Sequence, residues 1–254
     1  MKHRILKSLI LAGLYSGWLA APGVLADTTR PGGAEVGTSE AWAFKATPSY
    51  YATTHTKEAF DANLRANQGP HALWLAHYRR GDEFEQTRTG YEYTYQIPWF
   101  QLVPSLQLAS HGFAGGSLNA RVGDSVYALL GLGRTNTKDY YNLNFDPNDS
   151  VVYGLGTQLL PKSNLSLFTI KDNRLHTGQK VTHLVWRYLP DDHQRWTVDL
   201  STKQGRLTPA DDVVAGNALS ITYDYRAIFL RLAFDRKVNF TPEDQTRLSL
   251  GFRF

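Results

Sequence analysis

The chain has no cysteine, so no disulfide can cross-link it, and lipid attachment at an N-terminal cysteine is excluded. Beyond its first 26 residues it lacks any apolar run long enough to cross a bilayer as a helix of about 20 residues. It shows no His/Cys spacing of a transition-metal site and no Gly-rich phosphate loop after a parallel strand, so neither a metal nor another cofactor is expected. No acidic residue precedes Asp27, whereas Lys2, Arg4 and Lys7 open the chain. An apolar stretch from Leu9 to Leu19 and the small-residue run ending Val24-Leu25-Ala26 complete the layout of a secretory signal peptide cut after Ala26. Residues 1–26 are therefore read as the signal peptide. Residues 27–40, with Pro and Gly and no periodicity, are read as a flexible periplasmic tail.

Charge of one sign is also missing. The full chain carries 27 basic and 23 acidic residues; losing Lys2, Arg4 and Lys7 leaves 24 against 23, a balance of +1. The pI of 9.2 thus overstates the basicity, and no nucleic-acid partner is expected. What is abundant is aromatic: 13% of residues, including 14 tyrosines, in a chain whose mean hydropathy is only −0.36. A soluble core needs apolar runs. A membrane barrel needs only every second residue apolar, because its interior is polar.

That alternation is clearest at the C-terminus. Leu248, Leu250, Phe252 and Phe254 alternate with Arg247, Ser249, Gly251 and Arg253, and the terminal aromatic resembles the assembly signal of bacterial outer-membrane proteins. Ile228, Leu230, Leu232 and Phe234 repeat the pattern, as do Leu219 to Tyr225, Trp196 to Leu200 and, despite Pro104, Phe100 to Leu108. It is less tidy at 179–188, where Val181 and Val185 share a face with His183 and Arg187. Strands are predicted near 41–53, 59–66, 70–79, 87–96, 99–109, 115–122, 125–135, 149–159, 164–172, 179–188, 194–204, 216–225, 228–238 and 246–254. The fold class is all-β: a transmembrane antiparallel up-and-down β-barrel over 41–254. It has fourteen strands, or twelve if weak segments such as 59–66 fail.

With the C-terminus periplasmic, 54–58, 80–86, 110–114, 136–148, 173–178, 205–215 and 238–245 become outer loops, and the shorter connections become periplasmic turns. Trp42, Trp99, Trp186, Tyr188 and Trp196 fall at strand ends, where interfacial girdles lie. The strand order, the Tyr50-Tyr51 pair of the first hairpin, the Arg79-Arg80 pair opening an outer loop and the aromatic last strand together resemble the YaiO family of outer-membrane proteins. The resemblance spans most of 41–254. It implies an outer-membrane barrel, sometimes in polysaccharide-related settings, and carries over no catalytic residue.

No histidine is followed two residues later by serine, the one-face pair of barrel lipid hydrolases, and Ser110-His111 point to opposite faces of a strand. Asp191-Asp192-His193 and Asp211-Asp212 fall at opposite barrel ends and read as turns. Asp146-Pro147-Asn148-Asp149 could offer oxygens to a hard cation but lacks the Gly and terminal Glu of a calcium loop. What remains is the inward face: Glu92, Gln96, Gln101, Gln107, Arg121, His183, Arg187, Asp199, Lys203, Asp224, Arg226, Arg231, Asp235, Arg247 and Arg253. Its cations exceed its anions, most of all on the last three strands. The reading is a monomeric, narrow passive channel or saccharide-associated barrel with a mildly anion-favouring lumen. A sealed structural barrel and a lipid-modifying enzyme stay open beside it. Expected partners are outer-membrane lipid and lipopolysaccharide, the barrel assembly machinery, and small anionic solutes or saccharides.

Overall fold

The computed structural model describes residues 41–144 and 146–254. The signal peptide and the tail fall outside them. The strands are β1 (Ala43–Thr53), β2 (Ala59–Gln68), β3 (His71–Arg80), β4 (Phe84–Tyr93), β5 (Tyr95–Ile97), β6 (Phe100–Ala109), β7 (Phe113–Gly123) and β8 (Val126–Thr135). They continue with β9 (Ser150–Thr157), β10 (Ser163–Asp172), β11 (Lys180–Asp191), β12 (Gln194–Gly205), β13 (Val214–Tyr225), β14 (Ile228–Asp235) and β15 (Gln245–Arg253). Every sequential pair is antiparallel, except that β4 and β5 are one strand interrupted at Thr94, and both pair with β6. The last strand pairs with the first. The result is a closed fourteen-stranded barrel without sheet edges, the only β architecture that leaves no backbone group unpaired in lipid. The weakly patterned segment 59–66 is a full strand.

Register explains the alternation. Trp186, Val198, Ile221, Leu232, Leu248, Tyr50 and Phe60 lie directly opposite one another in a row crossing β11 to β15, β1 and β2. Six of the seven are exposed, as lipid-facing residues are when lipid is absent; Val198 is half-buried. One residue along, Asp199, Ser220, Ala233, Arg247, Tyr51 and Ala59 form the matching inward row. Pro104, opposite Leu118, stays within β6.

The two barrel ends differ. Two-residue turns such as Arg226-Ala227 close one end, although the β9–β10 connection there spans 158–162. Loops close the other end; the longest is 136–149, while 81–83 and 110–112 are shorter than the sequence suggested. Exposed tryptophans gather at the turn end, where Trp42 stacks on Phe44, Trp186 on Tyr188, and Trp196 packs 4.4 Å from Tyr223. Segment 236–244 corrects the predicted extension of β14 to residue 238. It turns away as a 3-10 element at Val238–Phe240, with left-handed backbone at Lys237, Asn239 and Phe240.

Candidate functional site

The barrel interior has two unlike sides. On β8 to β11, Tyr127, Leu129, Val152, Phe168, Ile170 and Val185 form a buried apolar cluster. This is why the alternation blurs at 179–188: Val181 and Val185 face inward beside His183 and Arg187, because the interior is apolar there. Tyr127 lies flat against Gly156, where any Cβ would meet its ring at 2.3 Å. Its hydroxyl donates to Asn164 Oδ1 at 2.7 Å, and the Arg121 guanidinium stacks 4.0 Å from its ring centre.

Loop 136–149 joins β8 to β9 at the loop end and folds inward. Tyr140, Asn142, Leu143, Asp146, Asn148 and Asp149 are buried, which the sequence did not indicate for this outer loop. Tyr140 stacks on Phe113 at 4.3 Å and Tyr141 on Tyr78 at 5.0 Å. Gln86 donates to the Tyr141 carbonyl and accepts from its N–H. Arg247 donates to the Leu143 carbonyl at 3.1 Å. His183 bridges Asp146 of the loop, at 3.0 Å from Nε2, and Asp199 of β12, at 3.0 Å from Nδ1. Asp149 accepts from Thr135 and from Arg174 at 2.5 Å. The carboxylates of the supposed cation loop are thus engaged by the His183 ring, the Arg174 guanidinium and the Thr135 hydroxyl.

Opposite the apolar side, a cavity of about 140 Å³ lies between the loop and the wall formed by β1 to β4, β6, β14 and β15. That is roughly ten times the space a single water needs. Lys45, Arg65, Arg88, Arg231 and Arg247 line it, against only Asp61 and Glu92. Arg88 pairs with Asp61 at 2.7 Å and Arg65 with Glu92 at 2.5 Å. Among the described residues, Lys45, Arg231 and Arg247 have no carboxylate within 4.0 Å. Arg231 donates instead to the Thr222 hydroxyl at 3.1 Å. Trp74, Tyr51 and Phe229 add aromatic surface.

No family model matches the chain, and no curated protein does. Solved structures do. The outer membrane protein Omp33 of Acinetobacter baumannii aligns with a TM-score of 0.53 at 11% identity, covering 84% of this chain and 98% of that one. The KdgM porin in complex with disordered oligogalacturonate gives 0.47 at 10%, covering 83% and 99%. OccK10 of Pseudomonas aeruginosa gives 0.45 at 10%, covering 84% and 98%. The fold is that of a closed outer-membrane β-barrel, as in Omp33. Nothing in these likenesses points to the YaiO family in particular.

Within this barrel most of the sequence-predicted inward residues fall in three places. Glu92, Gln107, Arg231 and Arg247 line the cavity. Gln101, Arg121 and Arg187 belong to the apolar side; Gln101 and Arg187 are buried there and Arg121 is half-buried. Asp199, Lys203, Asp224, Asp235 and Arg253 are held in pairs: Lys203 with Asp235, Asp199 with His183, and Asp224 with both Arg195 and Arg253. Gln96, half-buried in β5, donates to the Ile97 carbonyl at 3.1 Å, outside these groups. Arg226 departs from the projection. It sits exposed in the two-residue turn with φ of 53°, its guanidinium over the Tyr225 ring, so strand alternation no longer sets its direction. Sequence reasoning missed Lys45, Arg65, Arg88 and Asp61, although Lys45-Thr47-Ser49 and Asp61-Asn63-Arg65 carry the same period-2 signal. The four assembly residues Leu248, Leu250, Phe252 and Phe254 all face outward. Among the described residues no histidine ring is hydrogen-bonded to a serine hydroxyl.

Proposed function

We propose that this protein is a narrow passive channel of the outer membrane whose lumen favours small anions. The observation that carries the reading is the cavity beside the inturned loop, where Lys45, Arg231 and Arg247 face the interior with no carboxylate partner among the described residues. A low-dielectric wall focuses such a field and raises the local concentration of anions. The reconstituted protein should therefore favour chloride over potassium under a salt gradient. The preference should weaken near 1 M salt, where screening shortens to about 3 Å. Arg231→Gln with Arg247→Gln should move the reversal potential toward zero. Cation preference in the unmodified protein would refute the reading. In this reading the loop end faces outward, the barrel is monomeric, and its solutes are small acids or acidic saccharides, the setting the YaiO resemblance suggests.

A sealed structural barrel is the second reading, favoured by the bonds that hold loop 136–149 across the lumen. The two separate on one variant, in which residues 138–146 are replaced by a short Gly-Ser linker. A channel constricted by the loop should gain conductance several-fold. Silence from both folded forms would establish the sealed barrel.

A further inference from the structure

The unpaired cations of the cavity are arranged along the wall in order. Lys45 lies opposite Arg253 of β15, Phe229 opposite Gly251 and Arg231 opposite Ser249, while Arg247 itself is two residues further along β15. Side chains on one strand face recur every second residue, about 7 Å apart, so Arg231 and Arg247 stand on successive levels. The Lys45 ammonium and the Arg231 guanidinium each lie 5.8 Å from the Phe229 ring centre, one below and one at the level above in this order. Arg247 completes the series next to Tyr51, its guanidinium 6.0 Å from that ring.

A second observation points the same way. Among the described residues, Arg88 Nη1 and Arg247 Nε are buried N–H groups without a hydrogen-bond acceptor, and both residues line this cavity. Arg88 is 6% exposed and Arg231 9% exposed. A buried unpaired donor costs roughly 1–3 kcal/mol, more if charged, so these groups favour a ligand that brings oxygen acceptors. One acid group would neutralise one level only. Lys45 and Arg231 flank Phe229 and Arg247 stands one level beyond, so the unpaired cations form two groups and ask for two acid groups.

We infer that the cavity is a binding site for a small organic anion with two carboxylates. One would lie over Phe229 between Lys45 and Arg231, the other would meet Arg247 and Arg88 beside Tyr51, and the methylene spacer would join the two. This inference deepens the channel reading and rests on it only in taking the cavity to be reachable by solutes from one end of the lumen, which does not require passage through it. Guanidinium groups suit carboxylates because two parallel N–H donors match two oxygens.

Isothermal titration of the full-length folded barrel in detergent tests it, with acetate, succinate, adipate, suberate and pyrophosphate as probes. The dicarboxylates should bind at least ten-fold more tightly than acetate, with the optimum near adipate, whose acid groups match the spacing. Arg231→Gln or Arg247→Gln should each abolish the preference over acetate, while Arg226→Gln, in the exposed turn, should keep it. Should the arginine variants lose heat-modifiable gel migration, Lys45→Gln supplies the same comparison. Dicarboxylates binding no better than acetate would overturn the site, and pyrophosphate binding more tightly than every dicarboxylate would overturn the assigned ligand class. Failure of the channel reading looks different: the dicarboxylates would still bind, but bilayers holding the folded protein would stay silent.

Discussion

Gly251 lies under the ring of Phe229, and a Cβ there would sit 1.7 Å from Phe229 Cε1. The absent side chain is what lets the ring lie flat on β15, with Lys45, Arg231 and Arg253 gathered within 6 Å of it. Gly251→Ala must therefore push the ring into the lumen, a small-to-large change that costs about 1–3 kcal/mol. Urea unfolding of the barrel in lipid vesicles would read the loss. In a Phe229→Ala background the same substitution should cost much less, since residues in contact are not additive. An equal cost in both backgrounds would mean that the ring lies elsewhere. The sequence showed both residues on the inward face of neighbouring strands. It did not show that one is the seat of the other, because that depends on register, and register is not a property of either strand alone. The misplacement of Arg226 has a similar origin: period-2 projection runs on past the last strand residue unless the turn is located first.

At the scale of elements, strands were legible and loops were not. Lipid on one side and a polar interior on the other impose a period that survives in single segments, including 59–66. Loop 136–149 has no such period, and its inward fold depends on partners from β3, β4, β7, β11 and β15. Its one signal was composition, since Tyr140, Tyr141 and Leu143 are costly residues to leave in water. Loop-to-loop contacts at the same end were invisible for the same reason. Glu243 Oε2 accepts from the Thr54 hydroxyl at 2.7 Å, the His55 N–H at 3.0 Å and His55 Nδ1 at 2.9 Å, joining the β1–β2 loop to the β14–β15 loop. Burial alone would raise its pKa, but these donors outweigh burial and hold it below the usual glutamate value. A depressed carboxylate stabilises the clasp above the unfolded value of about 4.3 and loses that contribution as pH falls through its own lower value. Hydrogen exchange should then show the His55 amide protected near neutrality and released in acid, measured against its intrinsic rate. Glu243→Gln should remove the step. A step retained in the glutamine variant would assign it to another group.

Over the whole molecule the decisive event is closure, and closure falls on the residue that ends the chain. Phe44 N–H donates to the Phe254 carbonyl at 2.8 Å, Phe254 N–H donates to the Phe44 carbonyl at 3.0 Å, and the two rings stack at 5.7 Å. This pair extends the β1–β15 ladder beyond Lys45 and Arg253, at the turn end where the tryptophans gather. The alternation of 246–254 announced an outward aromatic at the terminus, whereas its partner, nearly the whole chain away, could be named only once strand count and register were known. In lipid an unpaired strand end exposes backbone N–H and C=O groups at several kcal/mol each, so a barrel that cannot close has little to gain from inserting. Deleting Phe254 removes both bonds and the stack, and should lower outer-membrane yield and reduce heat-modifiable migration. Phe254→Tyr keeps the backbone pair and the ring and should restore both. Phe254→Ala separates the contributions, because it keeps the two backbone bonds and loses only the stack and the lipid-facing surface. If the alanine variant assembles like the unmodified chain while the deletion fails, closure depends on the backbone pair. If alanine fails as badly as the deletion, the aromatic side chain itself is what assembly requires. Normal yield and migration in the deletion would remove Phe254 from any part in closing the barrel.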